Sequence, residues 1–311
     1  MQTSCIWRRG LRASFVVLRR FAAFCLLATL TWGGSGALAQ EKPFVVASFS
    51  IIQDWVQTIG GKGVESLSII PPRSEAHGFQ LSPRHLKDLR RASLIVGVSP
   101  DFEPWLAAWA KANQRSASVL WLNGENGIHA GHDCTLIPHP WTDPSEVRKM
   151  VRLLAEKLKE SGVKADTQTA CEQYLKEIDG LDLELTRLYR EIPAGKRAFI
   201  SHHANLDQFA KHFGLKVAGT IIASGSGESA DPSARHFSGL LATIRQQNLR
   251  VIVTDAGQNE AFARRLTEDA GLPPPLSLSF EYLEPPGQPG DTWVSMMRLN
   301  GRRLQAALLA R

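Results

Sequence analysis

Apolar residues recur every three or four positions through residues 167–192, and this spacing predicts one long amphipathic helix. The apolar positions of the segment are Cys171, Tyr174, Leu175, Ile178, Leu181, Leu185, Leu188 and Ile192. At about 1.5 Å per residue the helix would extend about 35–40 Å, which is longer than a typical globular helix. Gly180 lies inside the segment and allows a bend, and the sequence Pro193-Ala194-Gly195 ends it. We therefore predict a helical rod in the middle of the chain.

Short apolar runs alternate with helix-like segments on both sides of this rod. The runs typical of buried strands are residues 44–49, 66–70, 93–98, 119–122, 197–200, 216–222 and 250–254. Strands that alternate with helices of about 10–15 residues favour parallel sheets covered on both faces. We predict an α/β fold of two lobes, with mostly parallel sheets flanked by helices, joined by one long rigid helix. The predicted parts are an N-terminal lobe at 40–166, the linking helix at 167–192 and a C-terminal lobe at 193–311.

The first 39 residues have the pattern of a secretory signal peptide. A basic region with five arginines precedes a short apolar run at 21–32, and Ala37-Leu38-Ala39 matches a cleavage site. The apolar run is too short to span a bilayer. We expect cleavage before Gln40 and a protein exported to the periplasm or cell envelope.

The signal segment also accounts for most of the charge. The formal net charge is +6, and the segment contributes five arginines and no acidic residue, which leaves the mature chain at +1. A chain so close to neutral has no feature that favours nucleic acid or an anionic membrane surface as a partner. We expect no nucleic-acid binding, and we expect a monomer.

Four polar residues follow apolar runs or precede helices, two in each predicted lobe. They are His77, His139, His203 and Asp255. In open α/β sheets ligands bind beyond the carboxyl ends of strands. Three imidazoles and one carboxylate would suit zinc, because a manganese site favours more oxygen ligands. The spacing alone leaves open whether these histidines are ligands or ordinary surface and capping residues.

Four segments resemble one known family of proteins. They are Glu75-Ala76-His77-Gly78-Phe79, Pro138-His139-Pro140-Trp141-Thr142-Asp143-Pro144, Asp231-Pro232-Ser233-Ala234 and Trp293-Val294-Ser295-Met296-Met297-Arg298-Leu299-Asn300. In this order, and with a long central helix, they resemble the zinc/manganese-type substrate-binding proteins of ABC importers. The resemblance covers nearly all of the mature chain. It implies capture of one divalent metal ion as transported ligand, zinc first and manganese second, and its delivery to an ABC permease in the membrane.

The resemblance also implies which residues bind the metal. They are His77, His139, a histidine after the first strand of the second lobe, and a late acid taken to be Asp255. For the third ligand, the register counted back from residues 209–215 selects His203, whereas counting forward from the strand selects His202. We favour His203, with His202 as the alternative.

Two other functions compete with metal transport. A zinc-dependent hydrolase needs an open coordination position for water and a general base. Four protein ligands leave no such position, and the sequence has no H-E-x-x-H motif, so we expect a protein that is not an enzyme. A binding protein for a metal chelate or organic solute would instead need an aromatic-lined pocket.

A loop before the rod contains further candidate residues. His129 and His132 are either a short version of the histidine-rich loop of zinc members or part of an ordinary polar loop. Cys134 and Cys171 remain after signal cleavage. In an oxidising compartment they could pair in a disulfide that ties this loop to the first turn of the rod.

Overall fold

The first lobe is built on a parallel sheet of four strands. The computed structural model describes residues 41–74, 76, 78–124, 138–222 and 232–310. The strands are β1 (Phe44–Phe49), β2 (Glu65–Ile70), β3 (Leu94–Gly97) and β4 (Val119–Trp121), in the spatial order β2-β1-β3-β4. Residues 45–49 of the inner strand β1 are all buried, as expected for an apolar run covered on both faces of a parallel sheet. The order changes direction between β1 and β3, where open α/β sheets form a crevice at the strand ends.

Helices cover this sheet and lead towards the centre of the molecule. They are α1 (Ser50–Gly60), α2 (Pro83–Arg91), α3 (Pro104–Ala112) and α4 (Pro144–Glu160). Two of these starts follow directly from the sequence, because a proline stands at the first helical position after a capping side chain. Ser82 accepts a hydrogen bond from the His85 backbone N–H, and Asp143 accepts one from the Ser145 N–H.

The second lobe contains two short parallel strand pairs. They are β5 (Ala198–Ser201) with β6 (Lys216–Thr220), and β7 (Val253–Asp255) with β8 (Leu276–Leu278). A parallel bridge between Ile200 and Ile252 joins the two pairs, so that β5 and β7 are neighbours. The helices of this lobe are α6 (Asp207–Phe213), α7 (Ala234–Gln246), α8 (Ala261–Ala270) and α9 (Trp293–Leu309). The carboxyl ends of three neighbouring strands, β5, β7 and β8, therefore lie along one edge.

The linking helix α5 runs from Thr167 to Arg190 and carries the predicted apolar stripe as far as Leu185; beyond it the predicted Leu188 is half-buried, and Tyr189 is fully buried instead. Ile178, Leu181 and Leu185 on this stripe are fully buried. The helix packs against α4 and α1 of the first lobe and against α9. The prediction of an α/β protein with two parallel-sheet lobes joined by a long helix is confirmed, whereas the exact lobe limits stay predictions.

Several expectations concern residues whose structure is not described. The signal peptide at 1–39, His77, His129, His132 and Cys134 all lie outside the described residues. Cys171 is buried and its Sγ lies 3.6 Å from the Val151 carbonyl oxygen, and its pairing with Cys134 stays a prediction. Within the described part of the chain, no helix combines the length and apolar character needed to cross a membrane.

Candidate metal centre

Three strand ends of the second lobe bring four polar side chains together. His202 and His203 follow β5, Asp255 is the last residue of β7, and Glu281 lies three residues after the end of β8 at Leu278. Because the carboxyl ends of parallel strands meet at one edge, side chains at these positions converge. All four residues are buried, which is uncommon for ionisable groups unless they are paired.

The first lobe contributes His139 through the turn that precedes α4. His139 has a left-handed backbone with φ of 53°, and its carbonyl oxygen accepts a hydrogen bond of 2.9 Å from the Thr142 hydroxyl. A residue before proline is pushed out of the right-handed helical region, and Pro140 follows here. The next residue, Trp141, donates its indole N–H to the Phe280 carbonyl oxygen at 2.7 Å. This bond links the histidine-bearing turn to the residue that precedes Glu281.

Three side-chain atoms from the two lobes surround one point. Nε2 of His203 lies 2.9 Å from Oε1 of Glu281, and Nε2 of His139 lies 3.3 Å from the same oxygen. The two Nε2 atoms are 3.4 Å apart. In a tetrahedral zinc site, Zn–N bonds of about 2.0–2.1 Å place neighbouring ligand atoms about 3.3 Å apart. The spacing of the three atoms is therefore close to that of ligands around a single small cation.

Asp255 lies on the other side of the His203 ring. Its Oδ2 is 2.8 Å from Nδ1 of His203 and 3.1 Å from Nδ1 of His202. Its Oδ1 accepts a hydrogen bond of 2.8 Å from the Asn205 amide. An ionised carboxylate can only accept, so Nδ1 of His203 is protonated and donates to Asp255, while Nε2, the nitrogen that a metal ion would bind, faces His139 and Glu281. A carboxylate behind a ligating histidine fixes the tautomer and the orientation of the ring in the same way.

Hydrogen bonds within the cluster shift the pKa values of its ionisable groups. Burial disfavours a charged imidazole at His203, but hydrogen bonds to Asp255 and Glu281 outweigh it and raise the pKa of His203 to about 11. Burial acts to raise the pKa of Asp255, but hydrogen bonds from His202 and His203 bring that pKa below its usual value. Without a bound cation, a proton on His203 balances the carboxylates, and a metal ion that binds Nε2 must displace it.

The structure brings three of the predicted residues close together, beside one acid that was not predicted. His139, His203 and Asp255 lie in one cluster together with the alternative His202, while His77 lies outside the described residues. Glu281 is a further candidate ligand that was not selected from the sequence. Its sequence signal resembles that of Asp255, an acid just after a strand-like segment, but in the segment Leu276–Phe280 serines alternate with the apolar residues. The segment follows three prolines and forms a strand of only three residues, Leu276–Leu278, so no continuous apolar run marks this strand in the sequence.

A two-lobe α/β fold with a buried cluster of imidazoles and carboxylates between the lobes is the architecture of a metal-binding protein. Comparison with known families agrees: the chain belongs to the family described as zinc-uptake complex component A, periplasmic, whose model matches residues 45–307. It is thus an exported metal-binding component of an uptake system.

Individual relatives are similar over almost their whole length. The iron-binding protein YfeA of Yersinia pestis is 24% identical over 297 residues, which are 91% of this chain and 94% of that protein. The manganese ABC transporter substrate-binding lipoprotein PsaA of Streptococcus anginosus is 23% identical over 297 residues, covering 90% of this chain and 94% of the lipoprotein. Among solved structures, the periplasmic zinc-binding protein TroA of Treponema pallidum superimposes with a TM-score of 0.76 at 22% identity. That match covers 87% of this chain and 100% of the TroA chain, and it shows the shared fold.

Proposed function

We propose that the protein binds one divalent transition-metal ion between its lobes, zinc in preference to manganese, and delivers it to an ABC permease. The observation that carries this proposal is the trio of buried atoms Nε2 of His139, Nε2 of His203 and Oε1 of Glu281, all within 3.4 Å of one another. His77 is the proposed fourth ligand. A site with three imidazoles and one carboxylate suits zinc better than manganese.

In the arrangement that we favour, Asp255 is not a ligand but supports the site through its contact with Nδ1 of His203. A second trio of atoms, Nδ1 of His202, Nδ1 of His203 and Oδ2 of Asp255, also lies close enough together to hold a cation. The first trio is the better candidate because it takes donors from both lobes and leaves the hydrogen bond between Asp255 and His203 intact. Coordination by Asp255, which the family resemblance implies, would require the His203 ring to present Nδ1 to the metal instead.

A binding role is favoured over catalysis by the number of protein ligands. A metal-dependent hydrolase keeps one coordination position open for water. With His77 added to the trio, four protein side chains fill a tetrahedral site and leave no such position. We further propose that the protein acts as a monomer. We also propose that it does not bind nucleic acid, since the mature chain is close to neutral.

The test measures metal content and affinity on the purified mature protein. We expect one zinc ion per chain by elemental analysis, and a single binding step by competition with a chelating dye. His77→Ala, His139→Ala and Glu281→Ala should each weaken zinc binding by about 100-fold or more, since each removes a ligand. His236→Ala is the matched control, because His236 lies on α7 and contacts the Thr220 carbonyl oxygen.

Folding of each variant is checked by circular dichroism. Zinc affinity that is unchanged in both His139→Ala and Glu281→Ala would overturn the proposed site. Native mass spectrometry of the same samples tests whether the protein is a monomer.

A further inference from the structure

We propose that Asn205 is a positioning residue that holds Asp255 and Glu281 side by side, confines Glu281 to one ligand oxygen and thereby favours zinc over manganese. The inference rests on the proposed function, because it concerns how that same site chooses its ion. Asn205 lies two residues after His203, in the turn that leads from β5 into α6.

The Asn205 amide lies between the two carboxylates. Nδ2 is 2.8 Å from Oδ1 of Asp255 and 3.3 Å from Oε1 of Glu281, and the residue is only 1% exposed. An amide nitrogen carries two hydrogens, so it can donate to both carboxylates at once. The opposite orientation of the amide would place its oxygen against two carboxylate oxygens. The contacts therefore determine which end of the amide faces the site.

The two acids need a donor between them because they repel each other. They come from the ends of the neighbouring strands β7 and β8, and both are buried. Two buried carboxylates at one site either share a proton or move apart. Separation would draw Glu281 away from Nε2 of His139 and His203. Asn205 adds its two hydrogen bonds to those of His203, offsets part of the repulsion and so helps to keep Glu281 beside the imidazoles.

The position of the amide also restricts how Glu281 can bind an ion. The oxygen that accepts from Asn205 is Oε1, the same atom that faces Nε2 of His139 and of His203. For both oxygens to face one ion, the carboxylate would have to turn, and this hydrogen bond would lengthen. Zinc is satisfied by four ligands with a single carboxylate oxygen, whereas manganese favours additional oxygen ligands. The restriction is therefore more costly for manganese than for zinc.

The Asn205 backbone is fixed relative to the first lobe as well. Its carbonyl oxygen lies 3.4 Å from the Thr142 hydroxyl, and the same hydroxyl lies 2.9 Å from the carbonyl oxygen of His139. The Thr142 side chain thus contacts the backbone of His139 in the first lobe and the backbone of Asn205 in the second lobe. This contact limits any displacement of Asn205 from the carboxylates.

The experiment compares zinc and manganese affinities of Asn205→Leu with those of the wild type. Leucine has a similar size but no donor, so it removes the hydrogen bonds without opening a large cavity. We expect the ratio of zinc to manganese affinity to fall by about tenfold. X-ray absorption of the manganese-loaded variant should show an additional oxygen neighbour. Asn205→Ala is a second donor-free variant, which adds no bulk, for use if the leucine variant does not fold.

Asn300→Leu is the matched control. Asn300 is also buried, but its amide donates to the Ser279 carbonyl oxygen at 2.7 Å instead of to a carboxylate. If Asn300→Leu loosens the lobe in general, it should weaken the binding of both metals alike and leave the ratio of zinc to manganese affinity unchanged. If the wild type binds both ions and the Asn205 variants keep the wild-type ratio, the inference fails while the proposed function stands. If the wild type binds neither ion, both are overturned.

Discussion

At the residue scale, two adjacent histidines have different surroundings. Both ring nitrogens of His203 are engaged, with Nδ1 at Asp255 and Nε2 between His139 and Glu281. The contact of His202 is made by Nδ1, which lies 3.1 Å from Asp255. We therefore propose His203 as the ligand and His202 as a neighbour that supports the Asp255 carboxylate behind it.

This difference predicts unequal effects of two alanine substitutions. His203→Ala should weaken zinc binding by about 100-fold or more, because it removes a ligand atom. His202→Ala should weaken it by about tenfold or less, because an outer contact orients the ligands without touching the ion. Zinc competition titrations of both variants measure the effects. A larger loss of zinc affinity in His202→Ala than in His203→Ala would indicate that His202 is the third ligand.

At the scale of elements, α5 and α9 approach closely at a glycine. A Cβ atom added to Gly301 on α9 would lie 2.5 Å from Cδ2 of Leu185 and 3.3 Å from the hydroxyl oxygen of Tyr189. Both of these α5 residues are fully buried, and the Tyr189 hydroxyl donates to the Gly301 carbonyl oxygen at 3.0 Å. The absence of a side chain at Gly301 thus permits the contact between the last helix and the linking helix.

Two glycine substitutions in these helices should change stability in opposite directions. Gly301→Ala should lower the free energy of unfolding by about 1–3 kcal/mol, because the methyl group overpacks a buried contact. Gly180→Ala should raise it by about 0.5–1 kcal/mol, because Gly180 is exposed within α5, has space for a Cβ, and alanine favours the helix. Urea denaturation of the metal-free protein measures both changes. A Gly301→Ala variant as stable as the wild type would contradict the packing argument.

At the scale of the whole molecule, His212 connects both lobes with the linking helix. On α6, its Nδ1 lies 2.9 Å from Asp143 at the start of α4, and its Nε2 lies 2.7 Å from Asp182 on α5. Asp182 also pairs with Arg148 of α4 at 2.6 Å. Burial disfavours a charged imidazole here, but the hydrogen bonds to the two aspartates outweigh it and raise the pKa of His212 to about 9.

This raised pKa predicts a stability that depends on pH. A histidine whose pKa is higher in the folded than in the unfolded protein stabilises the fold fully below about pH 6.5, and the contribution disappears as pH rises through the folded value of about 9. His212→Gln should therefore destabilise the metal-free protein at pH 6, by at most about 3 kcal/mol, and much less at pH 10. Urea denaturation at both pH values, with His236→Gln as the control, measures the difference. If His212→Gln lowered the free energy of unfolding equally at pH 6 and at pH 10, that result would contradict a charged His212.

The sequence by itself determined the features that depend on local order. The apolar spacing of residues 171–185 specified the buried face of α5, and apolar runs separated by helices specified the parallel sheets. Which residues of a helix or strand share a face follows from its period alone. Positions after apolar runs or before helices likewise indicated His77, His139, His203 and Asp255 as candidate ligands.

Only the tertiary structure decided how these side chains meet. Glu281 and His139 are 142 positions apart, and they come together because Trp141 bonds to the Phe280 carbonyl oxygen across the two lobes. The same packing turns Nε2 of His203 towards Glu281 and Nδ1 towards Asp255. Ring orientation, and the choice between a ligand and a residue behind it, depend on neighbours distant in sequence. Local periodicity carries no information about those neighbours.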